Sequence, residues 1–531
     1  MTENLFIGIS EERIKKFICR LLGEDKGLWS CAVLSALTAA VLAYHYLIIF
    51  GCGNPDALSE GLLVYTGYDW ALACGRWATR YMSHWLSADM VIPGLWVPLY
   101  SLCCAVSAVL ICRLWEIRRR LSVCLVSVLL TVNPTVIEQS LLQYMFMSWG
   151  FSNLFCVLFV FFNLKDRSWL RSIFIYPVLI AVAFGLYQAG LGILALMLCM
   201  TLVIKLLRGE RLRALVVPLL RFAVSALIGV GLYFVIMRFE LNRWGESESG
   251  RLLAFSLSEI FRSLGSSVPA AYSTFFAYFF DPVFQRSALY KLLFAVGALF
   301  VLGGMLRRIK EGAWLESVLS LALVAAIPMC ANVSDVVFPY NKPVLIMQYQ
   351  SMLVVPFVLA LIPDAVPCRM PAALGRGLAL LAMVYLAWGY TVSANTTYKV
   401  YERAYDYTYA AVASAMDRVY LLPDYVTGEP VAFAGFPDDS HIRESKAYKI
   451  AYGKYDNLVF WEGFTGLQGG RLNYLSFFFG VDGGVLPYEK FVAVLETEEF
   501  EKMELFPGAS SVGRIDGLIV VKFDDEFPLY G

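Results

Sequence analysis

The sequence predicts a polytopic α-helical membrane protein with a small α/β domain at its C-terminal end, and three observations predict it. The first is composition: of 531 residues, 59% are hydrophobic and only 16% are charged, with a mean hydropathy of +0.63. Soluble domains run at about 45–50% apolar and about 25% charged, so the chain is displaced toward lipid on both counts. The second is the number of apolar runs that approach the roughly 20 residues a bilayer crossing needs. The third is the alternation of cation-rich and cation-poor loops between those runs. Lys+Arg and Asp+Glu both total 43, leaving no net charge, which disfavours a nucleic-acid binder with a basic footprint. High hydrophobicity disfavours disorder.

Eleven runs are long and apolar enough to be read as spans, near 29–50, 90–112, 120–136, 144–164, 172–187, 188–207, 214–237, 288–306, 315–333, 344–363 and 375–393. Residues 1–28 form a charged, amphipathic lead-in, too polar for a signal-peptide core. One set of loops carries Arg13, Lys15, Lys16, Arg20 and Lys26, then Arg113 with Arg118–Arg120, then Lys165, Arg167 and Arg171, then Lys205, Arg208, Arg211 and Arg213, then Arg307, Arg308 and Lys310. The opposite short loops offer little beyond Arg76, Arg80 and Lys342. The positive-inside rule therefore predicts a multi-pass protein of the cell membrane with a cytoplasmic N-terminus. Eleven crossings then put the C-terminus outside.

The transmembrane region, 29–393, leaves a first outer loop at 51–89 and a long outer loop at 238–287. Residues 394–531 form an outward segment. It opens with YERAYDYTYAAVASAMDRVYLL, whose apolar residues recur at helical spacing. The strand-like runs PVAFAGF, NLVFW, FVAVLE and GLIVVKF follow, separated by Gly, Pro and Asp turns. Most of the 12 cysteines sit in apolar runs and act there as small hydrophobes. Cys52 and Cys74 are the pair placed to bridge outside. With three histidines and no CxxC or HExxH pattern, no metal site is expected.

Polar residues gather on the outward side in four clusters. In the first loop, Asp56, Glu60 and Asp69 lie near the outer end of the first span, and Arg76, Arg80 and His84 recur every four residues. A helix over 70–87 would place those three on one face, a basic stripe at headgroup depth able to hold a lipid phosphate or simply to snorkel. The second cluster, NPTVIEQSLLQYMFMSW, leaves Glu138, Gln139 and Gln143 near the membrane after a helix end at Asn133-Pro134. The third is Tyr187-Gln188 in GLYQAGLG, and the fourth is SDVVFPYNKP, from Asp335 to Lys342. No span carries the central ionisable residues of an ion-coupled pump.

An acid-bearing first loop ending in GRW (Gly75, Arg76, Trp77), the NP…E element (Asn133, Pro134, Glu138), YQA (Tyr187, Gln188, Ala189) and an outward C-terminal domain together resemble the glucosyltransferase type II membrane proteins of GT-C architecture, which glucosylate bacterial surface polysaccharide. Two departures from the family pattern are visible. Its adjacent first-loop carboxylates are here a lone Asp56 in NPD, and the Asp expected shortly after Glu138 is absent from QYMFMSW.

The resemblance implies a polyprenyl-phosphate sugar as donor co-substrate, with no other cofactor, and a glycan such as an O-antigen as acceptor. It also implies membrane lipid as surroundings, with flippase and donor-synthase proteins as partners. The acceptor hydroxyl needs a base: Asp56 is the first candidate, Asp69 the second and Glu138 the third. Arg76, Arg80 and Lys342 are candidates for the donor phosphate, and Glu60, His84, Tyr187 and Gln188 for substrate contacts. The rival readings are another GT-C-like enzyme (a polysaccharide polymerase or ligase, or a mannosyl or aminoarabinosyl transferase), a structural or interaction protein whose outer domain binds partners, and a glycolipid flippase or transporter. The latter predicts polar residues threaded through the spans and related halves, neither of which the sequence shows.

Overall fold

The computed structural model describes residues 26–51, 64–65, 67–247, 257–280, 287–337, 345–362, 369–427, 429–435, 437–438, 440–448 and 488–525. Asp56, Glu60, Lys342, Cys52 and the NLVFW run lie outside the described residues.

Among the described residues, ten helices are long and apolar enough to cross a membrane. They begin with α1 (Lys26–Phe50). Two short helices of the first loop follow, α2 (Tyr68–Ala73) and α3 (Trp77–Ser87). Next come α4 (Pro93–Leu114), α5 (Arg120–Thr131) continued by α6 (Pro134–Leu141), and α7 (Gln143–Lys165). A short α8 (Trp169–Phe174) continues into α9 (Tyr176–Leu186), then α10 (Leu191–Leu207) and α11 (Leu212–Trp244). The second half holds α12 (Leu257–Phe280), α13 (Ser287–Lys310), α14 (Trp314–Ala331), α15 (Val333–Val337), α16 (Val354–Leu361) and the 52-residue α17 (Arg369–Tyr420). The elements start where local chemistry says they should. Pro93 and Pro134 occupy first-turn positions, where a missing N–H costs nothing. Asn133 caps α6 by accepting from the Val136 N–H at 3.2 Å.

Packing follows membrane rather than aqueous rules. On α1 the buried residues include Ala32, Ala36, Ala39, Ala40 and Ala43, while Leu34, Val41, Leu42 and Ile49 are exposed. Small residues let neighbouring backbones approach, and lipid covers the large side chains. Hydrogen bonds stitch that seam: Ser127 donates to the Ala32 carbonyl at 2.8 Å and Tyr44 to the Thr131 carbonyl at 2.7 Å.

Two expectations for the membrane region need correction. The run at 344–363 is not a continuous helix: it forms 3₁₀ turns at Leu345–Met347 and Tyr349–Leu353, then α16. Pro356 lacks the N–H a longer helix would need and confines itself to the first turn of α16. The segment still passes from end to end of the bundle. Ile346 O accepts from Gln139 at 2.8 Å near one end, and Ala360 O accepts from Arg208 at 2.9 Å at the other. Such irregular backbone is tolerated at membrane depth only when enclosed by protein, and residues 348–360 are all buried. The other correction concerns 238–287, expected as a long loop: α11 runs on to Trp244, and α12 fills 24 of the residues beyond. Tyr272, Phe275, Phe276 and Phe279 give α12 an aromatic face at helical spacing, joined to Phe294 and Tyr290 of α13.

At the C-terminal end, β1 (Val431–Ala434), β2 (Val512–Ile515) and β3 (Leu518–Lys522) form a sheet of order β1-β3-β2, with β1 parallel and β2 antiparallel to β3. One face packs on Val412, Met416 and Val419 of α17. The other packs on Phe491, Val494 and Phe500. FVAVLE, expected as a strand, is helical (Tyr488–Leu495): Phe491 and Val494 are buried while Ala493 is exposed, the i, i+3 spacing of a helix face.

Gly185 of α9 gives a test of this packing. A Cβ there would lie 2.4 Å from the Trp77 ring, whereas one at Gly231 of α11 meets nothing within 4 Å. Gly185→Ala is expected to destabilise the protein by about 1–3 kcal/mol. Gly231→Ala is expected to be neutral or stabilising by up to about 1 kcal/mol. Thermal unfolding of the two variants in detergent reads both.

Candidate active site

The first loop does not form the single helix expected over 70–87. It breaks between α2 and α3 at Cys74-Gly75, where Gly75 adopts φ 78°, a backbone conformation that glycine takes without strain. The break takes Arg76 out of line with Arg80 and His84, so the three do not form one basic stripe. Arg76 sits at the N-cap of α3 with its guanidinium 4.9 Å from the centre of the Tyr187 ring. Its Nε is buried with no hydrogen-bond partner. Arg80 instead lies between the Tyr68 and Trp244 rings, at 5.3 and 3.6 Å, held by cation–π attraction. His84 is exposed, with Nδ1 3.0 Å from Asp89. Asp69 stands exposed on the first turn of α2.

Asp89 is the carboxylate that organises this loop. Burial alone would raise its pKa, but hydrogen bonds from Tyr68 and His84, with the charges of His84 and Arg80, outweigh it and hold the group below the ordinary carboxylate range. Glu240 plays the same part on α11, accepting from Tyr81 at 2.7 Å and from Trp244 at 3.1 Å. Gln188 is a tether: its Nε2 donates to the Cys74 carbonyl at 2.7 Å and to the Tyr233 hydroxyl at 3.0 Å. Tyr187 is buried, edge-on to Trp149 with ring centres 5.5 Å apart. Cys74 is buried beneath this turn.

Glu138 lies at the same end of the bundle. It is half-buried on α6, and its Oε2 is shielded from solvent with no hydrogen-bond partner. Its neighbour Gln139 is fully engaged, accepting from Tyr100 at 3.2 Å and donating to Ile346. One turn earlier, Thr135 meets Tyr278 of α12. Two turns back along α12, Ala271 O accepts from Asn332 at 2.9 Å, which places Asp335 of α15 against the same helix. Asp335 is buried, its Oδ2 has no partner, and burial lifts its carboxyl to about 6, with only the Ser334 hydroxyl acting against it. Gly192 closes the ring of elements, because a Cβ there would lie 2.7 Å from Gln350 and 2.9 Å from the Ala331 carbonyl. The start of α10, which follows directly on the Tyr187–Gln188 turn, is thereby pressed against the α14–α15 junction.

At this end of the bundle the described residues therefore offer the half-buried Glu138 and the buried Asp335, each with an open oxygen, the half-buried Arg76 with an open Nε, and the indole N–H groups of Trp77 and Trp149, both without hydrogen-bond partners. That set can take a proton from a hydroxyl and hold an anionic oxygen. Sequence reasoning passed over Asp89, Glu240 and α12, and left Asp335 as one member of a polar cluster. The aromatic period of 272–279 was the available signal for α12. Nothing local marks Glu240.

A family model described as Glucosyl transferase GtrII matches residues 60–361. No curated protein and no solved structure matches the chain. The matched segment is more than half of the chain and contains Asp69, Arg76, Arg80, His84, Glu138, Tyr187, Gln188 and Asp335, while Asp56 precedes it and the C-terminal sheet follows it. This polytopic helical membrane protein thus belongs to the GtrII glucosyl transferase family and is a glycosyltransferase.

Proposed function

We propose that the protein moves glucose from a polyprenyl-phosphate donor to a surface glycan at the outer face of the cell membrane, in a GT-C-like fold with an extracytoplasmic C-terminal domain. The cation-rich turns at Arg113–Arg120, Lys165–Arg171, Lys205–Arg213 and Arg307–Lys310 all lie at the end of the bundle opposite Arg76 and Glu138, which favours a cytoplasmic N-terminus and an outward site.

The observation that carries the reading is Glu138: a carboxylate with an open, solvent-shielded oxygen, at the same bundle end as the open Nε of Arg76 and within the family segment. The acceptor oxygen attacks the anomeric carbon, the bond from that carbon to the phosphate oxygen breaks, and the polyprenyl phosphate leaves with the electron pair. The hydroxyl proton goes to the carboxylate, and the configuration inverts. Arg76 stabilises charge on the leaving phosphate. Asp335 holds its proton more tightly than an ordinary carboxyl and is placed to hydrogen-bond a sugar hydroxyl. Asp56 remains a candidate base beside Glu138.

Three outcomes are expected. In membranes supplied with polyprenyl-phosphate glucose and candidate glycans, Glu138→Gln should lower transfer by at least about a hundredfold, as for loss of a general base; near-normal transfer would move the assignment to Asp56, tested as Asp56→Asn. Replacing Arg76 by Ala should cost about 10²–10³-fold in turnover, as for removal of one oxyanion donor, with a smaller effect at Arg80. Asp335 gives a pH signature. Its carboxyl ionises near 3.8 when unfolded and near 6 when folded. Between those values the folded protein keeps a proton that the unfolded chain has lost, so stability declines as pH rises through that window and stays lower above it. Asp335→Asn should therefore melt above wild type near neutral pH, and the two midpoints should converge at about pH 4.

A further inference from the structure

The helix that carries Glu138 holds four polar side chains, and they divide into two pairs. On α6, Gln139 accepts from Tyr100 and donates to Ile346 O, and Ser140 bonds Ile137 O and the Tyr398 hydroxyl. The other pair is open: Thr135 Oγ1 and Glu138 Oε2 are shielded from solvent, and neither has a hydrogen-bond partner. The two residues stand three apart, so they are neighbours on one face of the helix.

The backbone explains why Thr135 is open. A threonine inside a helix commonly returns its hydroxyl to the carbonyl four residues back. Thr131 does so to Ser127 O at 2.8 Å, Thr201 to Met197 O at 2.6 Å and Thr391 to Ala387 O at 2.9 Å. For Thr135 that carbonyl belongs to Thr131. The chain is extended at Asn133, with φ −150° and ψ 167°, which breaks the helical register, and Thr131 O accepts from Tyr44 instead, at 2.7 Å. Facing Thr135 is Tyr278 of α12, only 2% exposed, whose hydroxyl is also without a hydrogen-bond partner. The next hydroxyl along, that of Tyr390, is bonded to Tyr290. Among the described residues no charged side chain acts on Glu138.

We infer that Thr135 and Tyr278 are positioning residues for Glu138, their hydroxyls turning onto Oε2 as the carboxylate ionises. Oε1 is then left to take the proton of the attacking hydroxyl. Hydrogen bonds given to a carboxylate favour its charged form, and buried hydroxyls that have no other acceptor give up no bond in making them. The movement is a rotamer change of Glu138 about its three side-chain torsions. This rests on Glu138 as the base proposed above.

The test follows the carboxyl stretch of Glu138 by infrared titration of the purified full-length protein, the band being identified by its absence from Glu138→Gln. Transfer is measured against pH in the same preparations. Tyr278→Phe and Thr135→Val should each raise the ionisation midpoint of the band by about one pH unit. The acid limb of the transfer profile should move by the same interval, so that transfer lost at lower pH returns at higher pH. Thr135→Ser, which keeps the hydroxyl, should return both readings to wild type. Thermal unfolding separates this from a packing role: Tyr278→Phe removes a buried hydroxyl that has no partner and should melt no lower than wild type. An unmoved band in the folded variants overturns the inference whatever the activity. A shifted band beside an unmoved transfer profile upholds the contact and overturns Glu138 as the base.

Discussion

Hydrocarbon offers no hydrogen-bond partner, so each polar group inside the bundle must find one within the protein. Most of the architecture answers to that constraint. Ser152 takes both the Ala183 and Tyr187 carbonyls, at 2.9 and 3.0 Å, where α9 unwinds before α10. Gln350 takes those of Ala331 and Met347, at 2.6 and 2.8 Å, where α14 ends and the 3₁₀ crossing begins. Arg221 spends its charge on the Asn163 carbonyl at 2.7 Å. The pairing is not complete, and among the atoms left open are ionisable ones on Glu138, Asp335 and Arg76 at one end of the bundle. Buried polar groups left unpaired cost folding free energy, and a ligand that supplies the missing partners recovers it.

The first loop shows how such a site is kept in shape. Gly75 turns the chain, Gln188 holds the Cys74 carbonyl, and Trp77 presses on Gly185. Arg80, between two rings, fastens the loop to the end of α11. The residues read together in the sequence as one basic stripe divide between two duties: Arg76 turns inward toward the carboxylate end, while Arg80 and His84 hold the loop's own fabric. Ring stacking and the Asp89 bonds decide that division, and neither depends on spacing in the chain.

What was legible in the sequence was whatever has a period or a composition. The spans, the extended helix from Tyr401, and the strands at Val431 and Leu518 all show runs of the right length and alternation. The broken crossing at 345–361 was legible as apolar but not as 3₁₀, because its irregularity depends on bonds to α6 and α14 that only the assembled bundle provides. Similarly, α12 is too polar in its first half to be read as a span, and its aromatic face makes sense only beside α13. Within the site, Arg76, Glu138, Tyr187 and Gln188 were legible as chemistry. That Gln188 tethers while Glu138 stays open was not, since both are polar residues at helix ends and only their neighbours differ.

The uninterrupted α17 has a mechanical corollary. Its residues belong to the core of the helix bundle as far as Ala404 and to the core of the sheet from Val412 onward, an interval of eight residues, or about 12 Å of rise. Arg418, clamped to the Pro507 and Gly508 carbonyls, fixes the upper end of that stretch. The helix therefore works as a mast rather than a leash. Its residue count sets the height of the sheet above the bundle, and one inserted residue would swing the whole sheet by about 100° around the mast axis.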